Sequence, residues 1–166
     1  VNVYSNILKR LYPEIPVVIG GIEASLRRFT HYDYWQDKLL PSILVSSKAD
    51  LMIYGMGEKG IVELASRLNA GENIETIKNI PQTAYLSDKS SVGYLPESNV
   101  LRLHSFEECL NSRKKFAENF KLIEEESNKL QPATIVEPTG NQLVVVNPTY
   151  PTMTEKEVDA SFNLPY

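Results

Sequence analysis

The chain has 166 residues, enough for one domain with a buried core, and its 42% hydrophobic and 23% charged content is that of a globular protein. A net charge of -4, from 17 basic and 21 acidic residues, argues against a nonspecific nucleic-acid binder, so no nucleic-acid partner is expected. The single cysteine, Cys109, excludes an internal disulfide, a multi-thiolate metal site and a paired-cysteine redox motif, and fits a reducing, cytoplasmic setting.

No apolar run approaches the roughly 18 residues of a membrane span, and no signal peptide is visible, so no membrane partner is expected. Residues 2 to 12 place Val3, Ile7, Leu8 and Leu11 on one helical face, and Pro13 and Pro16 end that helix. A buried strand follows at 17–19 and stops at Gly20-Gly21. Residues 23–29 form one or two helical turns, and 30–41 is aromatic and charged without a clear period. Ala49 to Tyr54 reads as a second strand ending in Gly55. Gly57-Glu58 opens a helix with Ile61, Val62, Leu64, Ala65 and Leu68 as its apolar face and Gly71 as its cap.

A short helix at 73–78 and a strand at 82–86 come next, then a Ser-rich loop at 87–99 and a strand at 100–103. Ser105 and Glu108 have the spacing of a capping box, and the helix they open keeps 3–4 spacing to about Leu130, stopped by Pro132. Thr134–Val136 and Leu143–Val146 flank a Gly140-Asn141 turn and predict a hairpin. From Asn147 the composition becomes that of a linker or docking segment.

Two strands ending in glycine turns, with helices between, argue for a parallel α/β sheet. Ligands in such sheets sit beyond the carboxyl ends of the strands, so Gly20, Gly21, Gly55, Gly57 and Glu58 are candidate ligand-binding residues. The α-helix after Gly57 offers free N–H groups to an anion. The plainer reading is that these glycines only turn the chain and Glu58 only favours its helix dipole. Glu23, Arg27, His31 and Asp33 are further candidates, with Tyr32, Tyr34 and Trp35 as an aromatic wall packed against Gly20-Gly21. Against that stand a structural His31, hydrogen-bonded among its aromatic neighbours, and a salt-bridged Arg27-Arg28. Cys109 and the Phe and Leu stripe around it read as core, and Glu124-Glu125-Glu126 as a solvated face. No metal site and no catalytic apparatus are legible in the chain.

The block from Gly20-Gly21-Ile22-Glu23-Ala24-Ser25-Leu26-Arg27-Arg28 through His31-Tyr32-Asp33-Tyr34-Trp35, with Tyr54-Gly55-Met56-Gly57-Glu58, resembles the YgiQ family of radical SAM proteins. Asn147-Pro148, Glu157-x-Asp159 and Leu164-Pro165-Tyr166 resemble the segment that family carries upstream of its radical SAM barrel. Met56 departs from the wider cobalamin-type pattern, which often has Glu, and Thr149 stands where a second Pro is expected.

The resemblance implies a partial Rossmann-like, cobalamin-binding-like α/β sheet over residues 1–95, with flanking helices. Residues 96–166 then hold the long helix, hairpin and linker. It implies an accessory N-terminal region of a radical SAM enzyme that positions substrate or covers the barrel, with no catalysis by this stretch alone. It also implies an iron–sulfur cluster and S-adenosylmethionine in the full-length protein and no cofactor in this piece. The cobalamin histidine motif is absent. Both ends read as cut, so missing N-terminal strands and a C-terminal barrel with a CxxxCxxC motif are the expected partners, and the substrate is undefined. The alternative is a non-catalytic binding module for a nucleotide, RNA or protein partner.

Overall fold

A computed structural model describes residues 1–90 and 99–163. The expected loop at 87–99 falls largely outside them, as does Leu164-Pro165-Tyr166. In chain order the first half comprises α1 (Asn2–Leu11), β1 (Val18–Ile19), α2 (Gly21–Leu26), β2 (His31–Asp33), β3 (Lys38–Leu40), α3 (Ile43–Ser47), β4 (Leu51–Ile53) and α4 (Glu58–Asn69). After a short 3-10 turn at Ile74–Thr76 come β5 (Thr83–Asp88), β6 (Val100–Arg102), α5 (Phe106–Asn111), α6 (Arg113–Ser127), β7 (Thr134–Thr139), β8 (Gln142–Val146) and α7 (Glu155–Phe162).

The strands other than β2 and β3 form one six-stranded sheet in the order β1-β4-β5-β8-β7-β6, with helices packed on it: a mixed α/β fold with a partial Rossmann-like unit. The α/β class is as expected, but the strands are not parallel throughout. The outer pairs β1–β4 and β6–β7 are parallel, each joined by a crossover that contains helices. The middle pairs are antiparallel. Turn chemistry explains part of this. Gly140 adopts φ +56° beside Asn141, and so tight a link between β7 and β8 permits only an antiparallel pair. Because β5 pairs with β8, a single sheet runs through both the earlier and the later stretch of the chain.

The sheet is covered on both faces, which is why β4 and most of β8 are buried at every position. One face packs Met52, Ala84, Ile135, Val144 and Val146 against Ala24, Ile43, Leu44 and the partly buried Leu122 and Ile123. The other packs Leu51, Ile53, Tyr85, Val136 and Val145 against Leu64, Ile74, Ile77 and Ile80. Asp50 ties the edge together. Its Oδ2 accepts the Val17 N–H at 2.6 Å and the Lys9 ammonium at 2.6 Å.

Several expectations change in the folded chain. The predicted long helix is two. Ser112, at φ -150° and ψ 105°, breaks the run and caps α6 by accepting from the Lys115 N–H. A 3–4 apolar period passes through such a break unchanged, because both helices turn an apolar side to the same sheet. The stripe is also less buried than its spacing implies: Leu110, Phe120 and Leu130 are exposed, as are Ile61 and Val62 on α4. Glu126 is buried rather than solvated, its carboxylate accepting the Ala133 N–H at 2.6 Å and the Lys129 ammonium at 2.7 Å. It thereby holds the passage from α6 into β7. The aperiodic 30–41 stretch is the two-stranded ribbon β2–β3, paired His31 to Leu40 and apart from the main sheet.

Candidate functional site at the glycine turns

The two glycine turns lie side by side. The Gly55 N–H donates to Ser25 Oγ at 3.0 Å, joining the turn after β4 to α2. Each glycine there has a structural reason. A Cβ on Gly20 would stand 3.1 Å from the Ile53 carbonyl oxygen, and one on Gly57 would stand 3.1 Å from Ile53 Cγ2. Gly21 and Gly55 hold φ +79° and +65°, where a side chain is strained. Glu58 occupies the first turn of α4, behind Gly57 as N-cap.

Gln82 clamps this edge. Its Nε2 donates to the Tyr54 carbonyl at 2.8 Å and to the Met56 carbonyl at 2.5 Å, so the Gly55 turn is held from within the sheet. A Cβ on Gly55 would come within 3.0 Å of that Nε2. Gly55→Ala is therefore expected to cost about 2 kcal/mol, from positive φ and a displaced clamp, read as a lower urea midpoint.

Asn147 closes the other side. Its Nδ2 donates to the Lys78 carbonyl at 2.9 Å, the Ile80 carbonyl at 3.0 Å and Thr83 Oγ1 at 3.0 Å, and the buried Tyr54 hydroxyl donates to the Asn147 carbonyl at 2.5 Å. Burial pushes the Tyr54 phenol up to about 12, so it stays a donor. The segment expected as a linker is thus drawn over the sheet end, with the Gln82 N–H bonded to the Pro148 carbonyl at 2.7 Å.

A cleft of about 300 Å³ opens between this segment and the Gly55 turn. Its walls include Met56, Lys59, Gln82, Tyr150 and Met153. The Tyr150 hydroxyl donates to Glu63 at 2.7 Å, and Lys59 lies over the Tyr150 ring and pairs with Glu157 at 2.6 Å. The cleft's polar groups are thereby pre-positioned by partners of this chain.

The remaining candidates separate into two places. Arg27 pairs with Asp33 at 3.4 Å and Glu23 at 3.2 Å, so the anion it meets is the chain's own. Asp33 is buried and its Oδ1 accepts the Gln36 N–H at 2.9 Å, shaping the ribbon's turn. Asp33→Ala would leave the Gln36 N–H without its partner and Arg27 with Glu23 alone, and is expected to cost about 1–2 kcal/mol in urea unfolding. The aromatic wall does not form. Tyr34 and Trp35 are 78% and 87% exposed at the ribbon's turn, stacked edge-on to one another, and Tyr32 is half exposed with its hydroxyl on Asp37.

His31 faces a second cavity, of about 280 Å³, between the ribbon, α6 and β7. Its Nδ1 meets the Phe29 carbonyl at 3.1 Å rather than an aromatic neighbour, and burial pulls its pKa down. Glu137 lies on the same cavity, 1% exposed, with Oε2 accepting the Thr30 N–H at 2.8 Å. Burial pushes its carboxyl up to about 7, against the pull of Thr30. Sequence reading passed over Glu137. The signal was a carboxylate at the alternate position to Ile135 in an otherwise uncharged strand, which puts both on one sheet face.

The whole of residues 1–166 matches the family model described as radical SAM N-terminal. The chain belongs to that family. It is 52% identical over 164 residues to a UPF0313 protein of Porphyromonas gingivalis, covering 99% of this chain and 26% of the relative. A UPF0313 protein of Bacteroides thetaiotaomicron is 53% identical over 175 residues, covering 99% of this chain and 28% of that protein. One from Geobacter sulfurreducens is 43% identical over 164 residues, covering 99% and 27%. The chain therefore spans about a quarter of the length of these relatives. No solved structure matches it.

The family's name implies an iron–sulfur cluster and S-adenosylmethionine. The residues of this radical SAM N-terminal chain do not fit a cluster. Its one thiol, Cys109, is buried, pushed up to about 11 by that burial and by Glu137, and its Sγ accepts from Asn119 Nδ2 at 3.3 Å. Among the described residues no helix is long and apolar enough to cross a membrane.

Proposed function

We propose that this chain is the accessory N-terminal region of a radical SAM enzyme, folding against the remaining three quarters of the protein to cover the barrel and position substrate. The iron–sulfur cluster and S-adenosylmethionine belong, in this reading, to that remainder, and the protein works in a reducing compartment. The observation that carries the proposal is the apolar surface beside the glycine turns. Ile22 and Leu26 on α2 are 80% and 74% exposed, Met56 in the Gly55 turn 63%, and Tyr34 and Trp35 stand out from the ribbon. Exposed apolar side chains this large suit a permanent contact. Gly20, Gly21, Gly55, Gly57 and Glu58 then line the covered edge, and the cleft at Lys59 and Tyr150 opens onto it.

Hydroxyl-radical footprinting of the full-length protein tests this. Trp35, Tyr34 and Met56 are expected to be protected there, and Met56→Glu together with Trp35→Glu to raise the reactivity of the remaining probe, Tyr34, and to increase uncoupled 5′-deoxyadenosine release. Full reactivity of these side chains in the wild-type full-length protein would overturn the covering role. A binding module standing free of the rest of the protein would give that result.

A further inference from the structure

The cavity between the ribbon, α6 and β7 holds polar atoms the fold leaves unmatched. Glu137 Oε1, Thr30 Oγ1, His31 Nε2 and Arg28 Nε are buried and have no hydrogen-bond partner among the described residues. All four residues line that one cavity, from two stretches of chain, 28–31 and β7. Buried polar groups are nearly always satisfied, so four orphans around one space call for a partner from outside the chain.

Their chemistry specifies that partner. The Phe29 carbonyl can only accept, so the His31 Nδ1 at 3.1 Å carries the proton, and Nε2 of the neutral ring is an acceptor. Glu137 Oε1 is a second acceptor. Arg28 Nε is a donor, on a guanidinium held over the Phe29 ring at 5.4 Å and the Tyr54 ring at 5.2 Å. The α6 wall sets the flat or apolar Phe116, Phe120 and Ile123 beside the polar Asn119 and Glu124. The unmatched atoms have almost no accessible surface, so a ligand reaches them only when a lining side chain moves aside, and Phe120, 62% exposed, is the one least held by its neighbours.

We propose that this cavity binds a planar ring whose edge carries adjacent N–H donors beside a carbonyl, the pattern of a guanine-type base. The N–H groups meet Glu137 and His31, the carbonyl meets Arg28, and the ring packs between the phenylalanines. A space of about 280 Å³ holds the base and leaves its substituent outside. Aromatic walls with edge-on hydrogen bonds are a recurrent way of reading an unstacked base. The site lies apart from the glycine-turn cleft, so it stands or falls separately from the accessory role.

The test is calorimetric titration of the full-length protein with guanosine, adenosine and a guanine-containing RNA hexamer. Guanosine is expected to bind, and adenosine, which lacks the donor–carbonyl edge, to bind at least about tenfold more weakly. If the hexamer binds more tightly than guanosine the base comes from RNA, and if not, from a free nucleoside. Glu137→Gln and His31→Ala are each expected to weaken guanosine by about tenfold or more, while Lys59→Ala in the other cleft changes nothing. His31→Ala carries the test if the Glu137 variant fails to fold. No saturable binding of either guanine probe at about millimolar concentration, equal affinity for adenosine, or affinity indifferent to both variants would overturn the assignment. So would a guanosine-soaked crystal with only water at Glu137.

Discussion

Glu137→Gln is expected to stabilise the folded chain by about 3 kcal/mol at about pH 8 and to change it little near pH 4.5. The carboxyl lies in the core, where burial raises it from 4.5 to about 7 against the pull of the Thr30 N–H and side chain, with Glu107 adding a smaller push upward. The sign follows from which state holds the proton. Below pH 4.5 both folded and unfolded chains are protonated at this site. Between 4.5 and about 7 the unfolded chain releases its proton first, so stability falls as pH rises. Above about 7 the native state carries a buried carboxylate and the loss is complete. Glutamine keeps an oxygen for the Thr30 N–H and carries no charge to bury, so the variant escapes the loss. Urea unfolding of both proteins at the two pH values measures it, and a wild-type midpoint that does not fall between them would contradict the assignment of this carboxyl. The gain in the variant would also explain why such a glutamate is worth keeping only if something binds to it.

Asn147→Ala is expected to cost about 3 kcal/mol, with the Gly55 turn loosened as a second effect. One side-chain amide serves the Lys78 and Ile80 carbonyls and Thr83 Oγ1, and its backbone N–H donates to the Thr83 carbonyl at 2.9 Å. Alanine removes the donor and leaves the Lys78 carbonyl without it, while the Ile80 carbonyl keeps only the Thr83 hydroxyl, and an unpaired acceptor costs more than its bond contributed. Because the Asn147 carbonyl also receives the Tyr54 hydroxyl, the strand-to-segment passage is fastened from both sides. Hydrogen exchange is expected to show faster amide exchange at Gln82, whose N–H rests on the Pro148 carbonyl, and at Gly55. Unchanged protection there, with a melting temperature within about a degree of wild type, would mean the clamp is redundant.

The α/β class, the strands at β1, β4, β7 and β8, the capping box at Ser105 and Glu108 and the Gly140-Asn141 hairpin were legible in the sequence, because each depends on neighbours in the chain. Period, capping and turn preferences act over a few residues and survive in a string of letters. Family membership was legible for a different reason: long motifs such as Gly20 to Trp35 are specific in themselves. The adjacency of the two glycine turns followed from the general rule for parallel strands, and β1 and β4 are such a pair.

Contacts between distant segments were not legible. The break at Ser112 leaves the apolar period intact, so nothing local reports it. Whether Tyr34 and Trp35 face a pocket or open space depends on where the ribbon leaves the sheet, which no residue within it encodes. Asn147 and Glu126 read as ordinary polar residues until segments far along the chain supply the groups they satisfy. Glu137 meets Thr30 across 107 positions. Its carboxyl is neutral or charged according to a burial that exists only once β7, α6 and the ribbon have come together. Local sequence determined the elements of this protein. Tertiary structure alone decided which polar groups are left without partners, because desolvation depends on everything that surrounds an atom and not on the residues beside it in the chain.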